Sequence, residues 1–274
     1  MDRRSTPFSG RIALTCLRGQ IEATFTEGEA ARVARPLVDL LAEPNGQRDR
    51  QVLMGDAVTV IDRAKDHAFV QAAKDGYCGW LDADALGPAT APTHWVAARS
   101  SHLYCAPKVQ SPETAALPHG AALTVIANHD SFAQTTQGFV PLAHLRPLND
   151  RPTDPVSVAE GFVGAPYLWG GNSAAGLDCS GLVQAALLAC GLPCPGDSDQ
   201  QQTLGHALTD STSLQRGDLL FWKGHVAWVA DSGRILHANG HTMTVAFEPI
   251  TTAIARILAQ GGGPVIARRR VTQL

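Results

Sequence analysis

Gly164-Ala165-Pro166-Tyr167-Leu168-Trp169-Gly170-Gly171 runs on to Asp178-Cys179-Ser180-Gly181-Leu182-Val183, so a glycine-rich loop delivers a cysteine to the start of an apolar segment. Leu182, Val183, Ala186, Leu187 and Cys190 recur with a helical period, and Gly191 supplies the stop. A thiol at such an N-terminus faces unpaired backbone N–H groups and the positive end of the helix dipole. That predicts a pKa below the free value of about 8.5. By residue type alone, a buried structural cysteine is the commoner fate.

The C-terminal quarter of the chain favours the reactive reading. Gly224-His225-Val226-Ala227-Trp228-Val229-Ala230 and Arg234-Ile235-Leu236-His237-Ala238-Asn239 read as strands joined by Asp231-Ser232-Gly233. In a hairpin, His225 and His237 share a face when paired residues sum to an even number, for example 227 with 237. A loop with an odd number of residues does this, and Gly233 suits one. The histidines are then diagonal neighbours, about 7 Å apart at the backbone. A lone histidine on an apolar strand is most often a satisfied core residue; two on one face, downstream of a helix-starting cysteine, point to chemistry.

That chemistry is nucleophilic acyl transfer. His225 takes the thiol proton, forming a thiolate–imidazolium pair, and later returns it to the departing amine. His237 orients His225 and fixes its tautomer, a geometric task that an uncharged polar group can perform. The Cys179 backbone N–H is a natural oxyanion donor.

Pro166 to Gly171, Asp178 to Val183, Arg216-Gly217-Asp218-Leu219-Leu220-Phe221-Trp222, Gly224-His225-Val226 and His237-Ala238-Asn239-Gly240 together resemble the NlpC-type cysteine peptidases in order and spacing. The resemblance implies an α+β papain-like fold over residues 152–274. It also implies cleavage of peptide bonds in bacterial cell-wall peptides, with no cofactor and no metal.

The preceding chain reads as short strands broken by turns. Val33 to Leu41, Val52 to Ile61, Ala68 to Ala73 and Gly79 to Leu81 are separated by Pro44-Asn45-Gly46, Lys65-Asp66 and Lys74-Asp75-Gly76. A second pass has Ala97 to Tyr104, Ala122 to Asn128, Phe132 to Thr136 and Gly138 to Val140, with Pro107, Pro112 and Pro118 in the breaks. Both passes resemble small all-β bacterial SH3-like barrels, at residues 31–90 and 91–149. Residues 1–30 read as an extension, a strand or hairpin packed on the first barrel, and 149–154 as the linker to the peptidase.

As the resemblance implies, a first-barrel tyrosine and an acidic residue grip the free amine of an N-terminal L-alanine. Tyr77 and Glu43 match best, against plainer roles as a barrel-core tyrosine and an exposed loop glutamate. Tyr167, Asp178, Ser180 and Ser198 match groove-lining positions, with Asp178 also suited to cap the helix and Ser198 to the Asp197-Ser198-Asp199 turn. Trp169 and Trp222 are expected in the core, and His206 and His241 in surface or packing roles.

At 274 residues and 45% apolar content, the chain can fill several cores. A net charge of −3 gives no electrostatic case for nucleic acid or an anionic membrane, and Arg268-Arg269-Arg270 reads as a solvated strand end. Cys16, Cys78, Cys105, Cys179, Cys190 and Cys194 form no paired CxxC pattern, so reduced thiols in a cytosolic protein are expected. The apolar run from Ile12 to Leu17 is too short for a signal-peptide h-region, and nothing approaches a membrane span. The expected protein is therefore a cytoplasmic recycler of murein peptides. It cuts the γ-D-glutamyl-diamino acid bond and releases L-Ala-γ-D-Glu. The rivals are an exported endopeptidase or amidase anchored by its SH3-like domains, and a wall-fragment binder or acyltransferase that uses Cys179 otherwise.

Overall fold

The computed structural model describes residues 1–271 and divides into two compact units, the first ending at Asp150 and the second beginning at Arg151.

The first unit is almost wholly β and uses one strand order twice. Its seven-stranded sheet runs Arg48–Leu53, Leu37–Leu41, Cys78–Asp82, His67–Ala72, Ala57–Ala64, Glu29–Val33 and Leu86–Gly87. Further along the chain, Glu113–Pro118, Ser100–Tyr104, Gly138–Pro141, Phe132–Thr135 and Val125–His129 repeat the first five places. Ala122–Leu123, His94–Val96 and Leu145–Pro147 complete the series as a separate three-stranded sheet. Both copies close alike, with a 3-10 turn at Ala83–Ala85 and at Leu142–His144.

Alternation builds a core for each copy. Val33, Leu40, Val60, Val70 and Leu81 fill the first; Val96, Leu103, Leu117, Leu123 and Val140 fill the second. A bulge between Val60 and Asp62 reverses the alternation, so Ile61 joins Phe69, Cys78 and Trp80 in a separate cluster. Ile12 and Leu14 pack there, and Arg11 grips the buried Asp62 through bonds of 2.7 and 2.6 Å. This N-terminal segment is not a hairpin, because Ile12–Leu14 pairs in parallel with Thr24–Thr26.

Two expected strands are each split in two. Val33 to Leu41 breaks at Ala34-Arg35-Pro36, and Val52 to Ile61 breaks around Gly55, whose φ of 85° suits a reversal and not a strand. The stretch from 113 to 118 was not expected to be a strand. It lies at a sheet edge, where a proline just before it (Pro112) and one as its last residue (Pro118) are tolerated.

In the second unit a six-stranded antiparallel sheet runs His206–Ala207, Ala267–Arg270, Asp218–Trp222, His225–Val229, Arg234–Asn239 and Thr244–Pro249. Leu219, Phe221, Val226, Trp228, Leu236 and Val245 meet Leu182, Val183, Ala186 and Leu187 of the Cys179–Ala189 helix. Leu220, Trp222, Ala227, Val229 and Ile235 face the other way, onto Ala253 and Ile257 of the Ile250–Ala259 helix. The Arg268-Arg269-Arg270 run is not a solvated strand end. It lies between two partner strands, and Arg270 bonds the buried Asp218 at 2.7 and 2.8 Å because that carboxylate needs a cation.

Candidate active site

The Cys179–Ala189 helix begins where its sequence says it should. Asp178 is the N-cap: its Oδ1 accepts from the Gly181 N–H at 2.6 Å and from Ser180 Oγ at 3.0 Å. Its Oδ2 accepts from the Gly170 N–H at 2.9 Å, so one carboxylate ties the glycine loop to the helix start. A Cβ at Gly181 would clash with the Gly171 carbonyl oxygen, and one at Gly171 with the Gly176 carbonyl oxygen, which explains both glycines. At the other end Gly191 takes a φ of 77° and stops the helix.

The hairpin has the predicted parity. Trp228 pairs with Leu236 and Val229 with Ile235, which puts His225 and His237 on one face. Asp231 closes the loop by accepting from the N–H groups of Gly233 and Arg234, both at 2.9 Å. Gly233 does not take a positive φ, and the Asp231 carboxylate shapes the turn. Beyond Trp228 and Leu236 the ladder gives way to a side-chain contact: His225 Nε2 lies 2.9 Å from His237 Nδ1.

Cys179 Sγ lies 4.0 Å from the Gly224 carbonyl oxygen, and the nearby backbone N–H groups of Val226, Ser180 and Cys179 itself act to lower its pKa. The sulfur thus meets the backbone on both sides of His225. The thiol pKa does not fall as the helix position alone predicts. Burial, helped by the Asp178 charge, pushes it up to about 12. Helix-terminal stabilisation of at most about 2 kcal/mol does not offset desolvation that can move a buried group by about 3–5 units. Burial also pulls His225 down to about 3 and His237 to about 4. At neutral pH the resting site therefore holds a neutral thiol and two neutral imidazoles. Alkylation of Cys179 by iodoacetamide, read by peptide mass spectrometry without substrate, is expected to be slow at pH 7 and to accelerate above pH 8. A rate already maximal below pH 7 would show a resting thiolate.

The other expected residues are spread over the chain. Ser180 is buried beside Asp178, and Ser198 is buried at the start of the short Ser198–Gln201 helix. Gln201 there donates to the Ser180 carbonyl at 3.0 Å. Half-buried Tyr167 lies close enough for the charges of Cys179 and Asp178 to raise its phenol pKa, behind the larger effect of burial. Glu43 and Tyr77 belong to the first unit. Glu43 is exposed at its turn, and Tyr77 is buried in the first core with the Arg50 guanidinium 5.5 Å over its ring. Trp222 is fully buried, but Trp169 is 70% exposed. Backbone bonds from Tyr167 to Met243 (2.9 Å) and from Leu168 to Leu177 (3.0 Å) hold that loop, so the indole is not needed in the core. His206 and His241 are exposed, and His241 shares with His225 the lining of a cavity of about 410 Å³. No group of three or more His, Cys, Asp or Glu among the described residues is arranged to hold a metal ion.

Two site residues escaped the sequence reading. Glu248 Oε2 lies 3.2 Å from His237 Nε2, and Arg256 holds both Glu248 oxygens at 2.9 and 2.7 Å. Strand alternation was the available signal, since His237 pairs with Ala246 and residue 248 shares that face.

Residues 164–256 match the NlpC/P60 family, and residues 40–86 match the bacterial dipeptidyl-peptidase SH3 domain. The C-terminal unit carries an NlpC/P60 cysteine peptidase domain. The chain is 27% identical to the gamma-D-glutamyl-L-lysine dipeptidyl-peptidase of Bacillus cereus, over 74% of this chain and 71% of that one. It is 28% identical to dipeptidyl-peptidase 6 of Lysinibacillus sphaericus, over 76% and 87%. A crystal structure of an NlpC/P60 family protein from Bacillus cereus superposes with a TM-score of 0.74 at 21% identity, covering 88% of this chain and 99% of that one. An SH3 domain followed by an NlpC/P60 domain is thus the arrangement of this chain.

Proposed function

We propose that the peptidase hydrolyses the γ-D-glutamyl-diamino acid bond of short murein peptides with a free N-terminal L-Ala, releasing L-Ala-γ-D-Glu. The observation that carries the reading is the 2.9 Å contact between His225 Nε2 and His237 Nδ1 beside a helix-starting thiol. Nε2 of His225 is engaged by His237, so Nδ1 is the ring nitrogen left to receive the Cys179 proton. Because both groups rest neutral, the proton leaves the sulfur as it attacks the D-glutamyl carbonyl. His225 then returns that proton to the departing amine, and water releases the dipeptide from the thioester. The Cys179 N–H answers the charge on the tetrahedral oxygen.

The substrate class rests on likeness across domains. The two curated relatives are named as dipeptidyl-peptidases, and each match spans more of this chain than the catalytic unit occupies. The SH3 domain is itself of the dipeptidyl-peptidase kind. The repeated strand order supports reading residues 91–149 as a second SH3-like barrel, and the helices packed on an antiparallel sheet support a papain-like α+β unit. Tyr167, Asp178, Ser180 and Ser198 are proposed for the D-glutamyl groove. Glu43 and Tyr77 remain the residues proposed, from the resemblance, for the substrate ammonium; Glu43 is an exposed carboxylate, whereas the burial of Tyr77 favours a core role. Work on free peptides in the cytoplasm fits this reading and is proposed with it.

An L-Ala-γ-D-Glu-diaminopimelate tripeptide and its N-acetylated counterpart test it. Acetylation removes the charge that the proposed carboxylate would pair with, so kcat/KM is expected to fall on the acetylated peptide. Equal rates on the two would remove the amine site. Cleavage of neither, with activity on intact sacculi, would favour the wall-cutting alternative.

A further inference from the structure

We infer that Glu248 and Arg256 are positioning residues that set the tautomer of His237 and, through it, leave Nδ1 of His225 bare to act as the base. The inference rests on the proposed Cys179, His225 and His237 chemistry and adds the groups that determine where its protons sit.

Each step follows from who can donate. His237 is buried, with Nδ1 against His225 Nε2 at 2.9 Å and Nε2 against Glu248 Oε2 at 3.2 Å. The Nε2 contact is off the line of a well-formed hydrogen bond, and this buried nitrogen has no other partner among the described residues. Arg256 takes both Glu248 oxygens through Nε and Nη2, and its charge keeps the carboxylate ionised, below its usual pKa. An ionised carboxylate only accepts. His237 is neutral at pH 7, because burial outweighs the pull of Glu248 while Arg256 and His241 oppose that pull. Its one ring proton therefore belongs on Nε2, facing Glu248, and its Nδ1 offers a lone pair. His225 Nε2 must then be the donor of the 2.9 Å bond. A neutral His225 with its proton on Nε2 has an unprotonated Nδ1. The orientation that a third triad member provides thus originates one residue further back, at an ion pair between the Thr244–Pro249 strand and the Ile250–Ala259 helix.

Arg256 has a second effect. It cancels the Glu248 charge, so His237 is not drawn into an imidazolium, which would carry a proton on Nδ1 and leave His225 Nε2 to accept. Neither residue has to touch substrate for this.

The test uses the full chain, labelled with 15N at its histidine rings. The His237 signals, assigned by their loss in His237→Gln, are expected to show Nε2 protonated and Nδ1 bare. In Glu248→Gln the single amide oxygen stays with Arg256 and the NH2 group turns to His237. The tautomer is then expected to reverse, with kcat on the tripeptide falling about 100-fold or more at unchanged KM. A misplaced proton costs the serine-protease triad about 10⁴-fold. Removing the competitor in Glu248→Gln/Arg256→Gln frees that oxygen to accept from Nε2, and kcat is expected to recover about tenfold over the single variant. An ion pair with a merely structural role predicts a double variant no faster than the single one.

A wild-type His237 protonated at Nδ1 overturns the inference, and so does an unchanged tautomer or kcat in Glu248→Gln. The wild-type spectrum decides alone if that variant does not fold. Undiminished turnover in His225→Ala would instead remove the underlying mechanism, while leaving the His237 tautomer measurement standing.

Discussion

Cys179→Ala is expected to abolish turnover while the protein stays folded. Loss of a nucleophile costs about 10⁶-fold where the triad acts as one unit, because nothing else in the site can form the acyl bond. The structural cost is small by comparison. Cys179 is 7% exposed, at the edge of the cluster made by Leu182, Val183, Val226 and Trp228. Its helix start is held by Asp178, which accepts from Gly181 and Gly170 irrespective of the sulfur. Losing one buried sulfur removes about 1 kcal/mol. The measurements are a progress curve on the tripeptide and a thermal melt of the same sample. Residual turnover well above the uncatalysed rate would require another nucleophile, and a collapsed melt would mean that Cys179 is a core residue first.

Local rules made most of this site legible. The shared face of His225 and His237 follows from the two-residue period of a strand once the hairpin's pairing parity is given, wherever the strands end. Positive φ at Asn45 (60°), Lys65 (53°) and Gly76 (74°) marks the turns that asparagine, lysine-aspartate and glycine had announced. What stayed hidden depended on tertiary context. The thiol pKa followed burial and not the helix end, since composition cannot say how dry a loop-capped cysteine will be. Arg270 looked like a solvated end until the sheet placed it against Asp218. The Glu248 and Arg256 pair joins a strand to the helix after it, so no motif spacing announces it. Tyr77 shows the converse limit: its buried position is what a barrel-core tyrosine requires, whatever the resemblance implies for it.

His237→Leu is expected to lower kcat about 10³–10⁴-fold with little change in KM, and His237→Gln to restore part of that loss. Leucine fills the space but cannot accept from His225 Nε2, so the proton of His225 is free to settle on the nitrogen that must receive the thiol proton. Glutamine offers an amide oxygen in place of Nδ1. The same substitution has a second readout that activity does not share. His237 is buried neutral, its pKa down to about 4 against an unfolded value of about 6.5, so the unfolded chain binds the extra proton first. Stability from this group is complete above about pH 6.5 and is lost as pH falls through about 4. His225, pulled down to about 3, adds a loss in the same direction. His237→Leu removes one of the two titrations, so its melting temperature should fall less steeply than wild type between pH 6.5 and pH 4. A variant that loses activity but keeps the wild-type slope would place the acid sensitivity elsewhere in the chain. A shallower slope with a lower kcat would trace both effects to one neutral, dry imidazole.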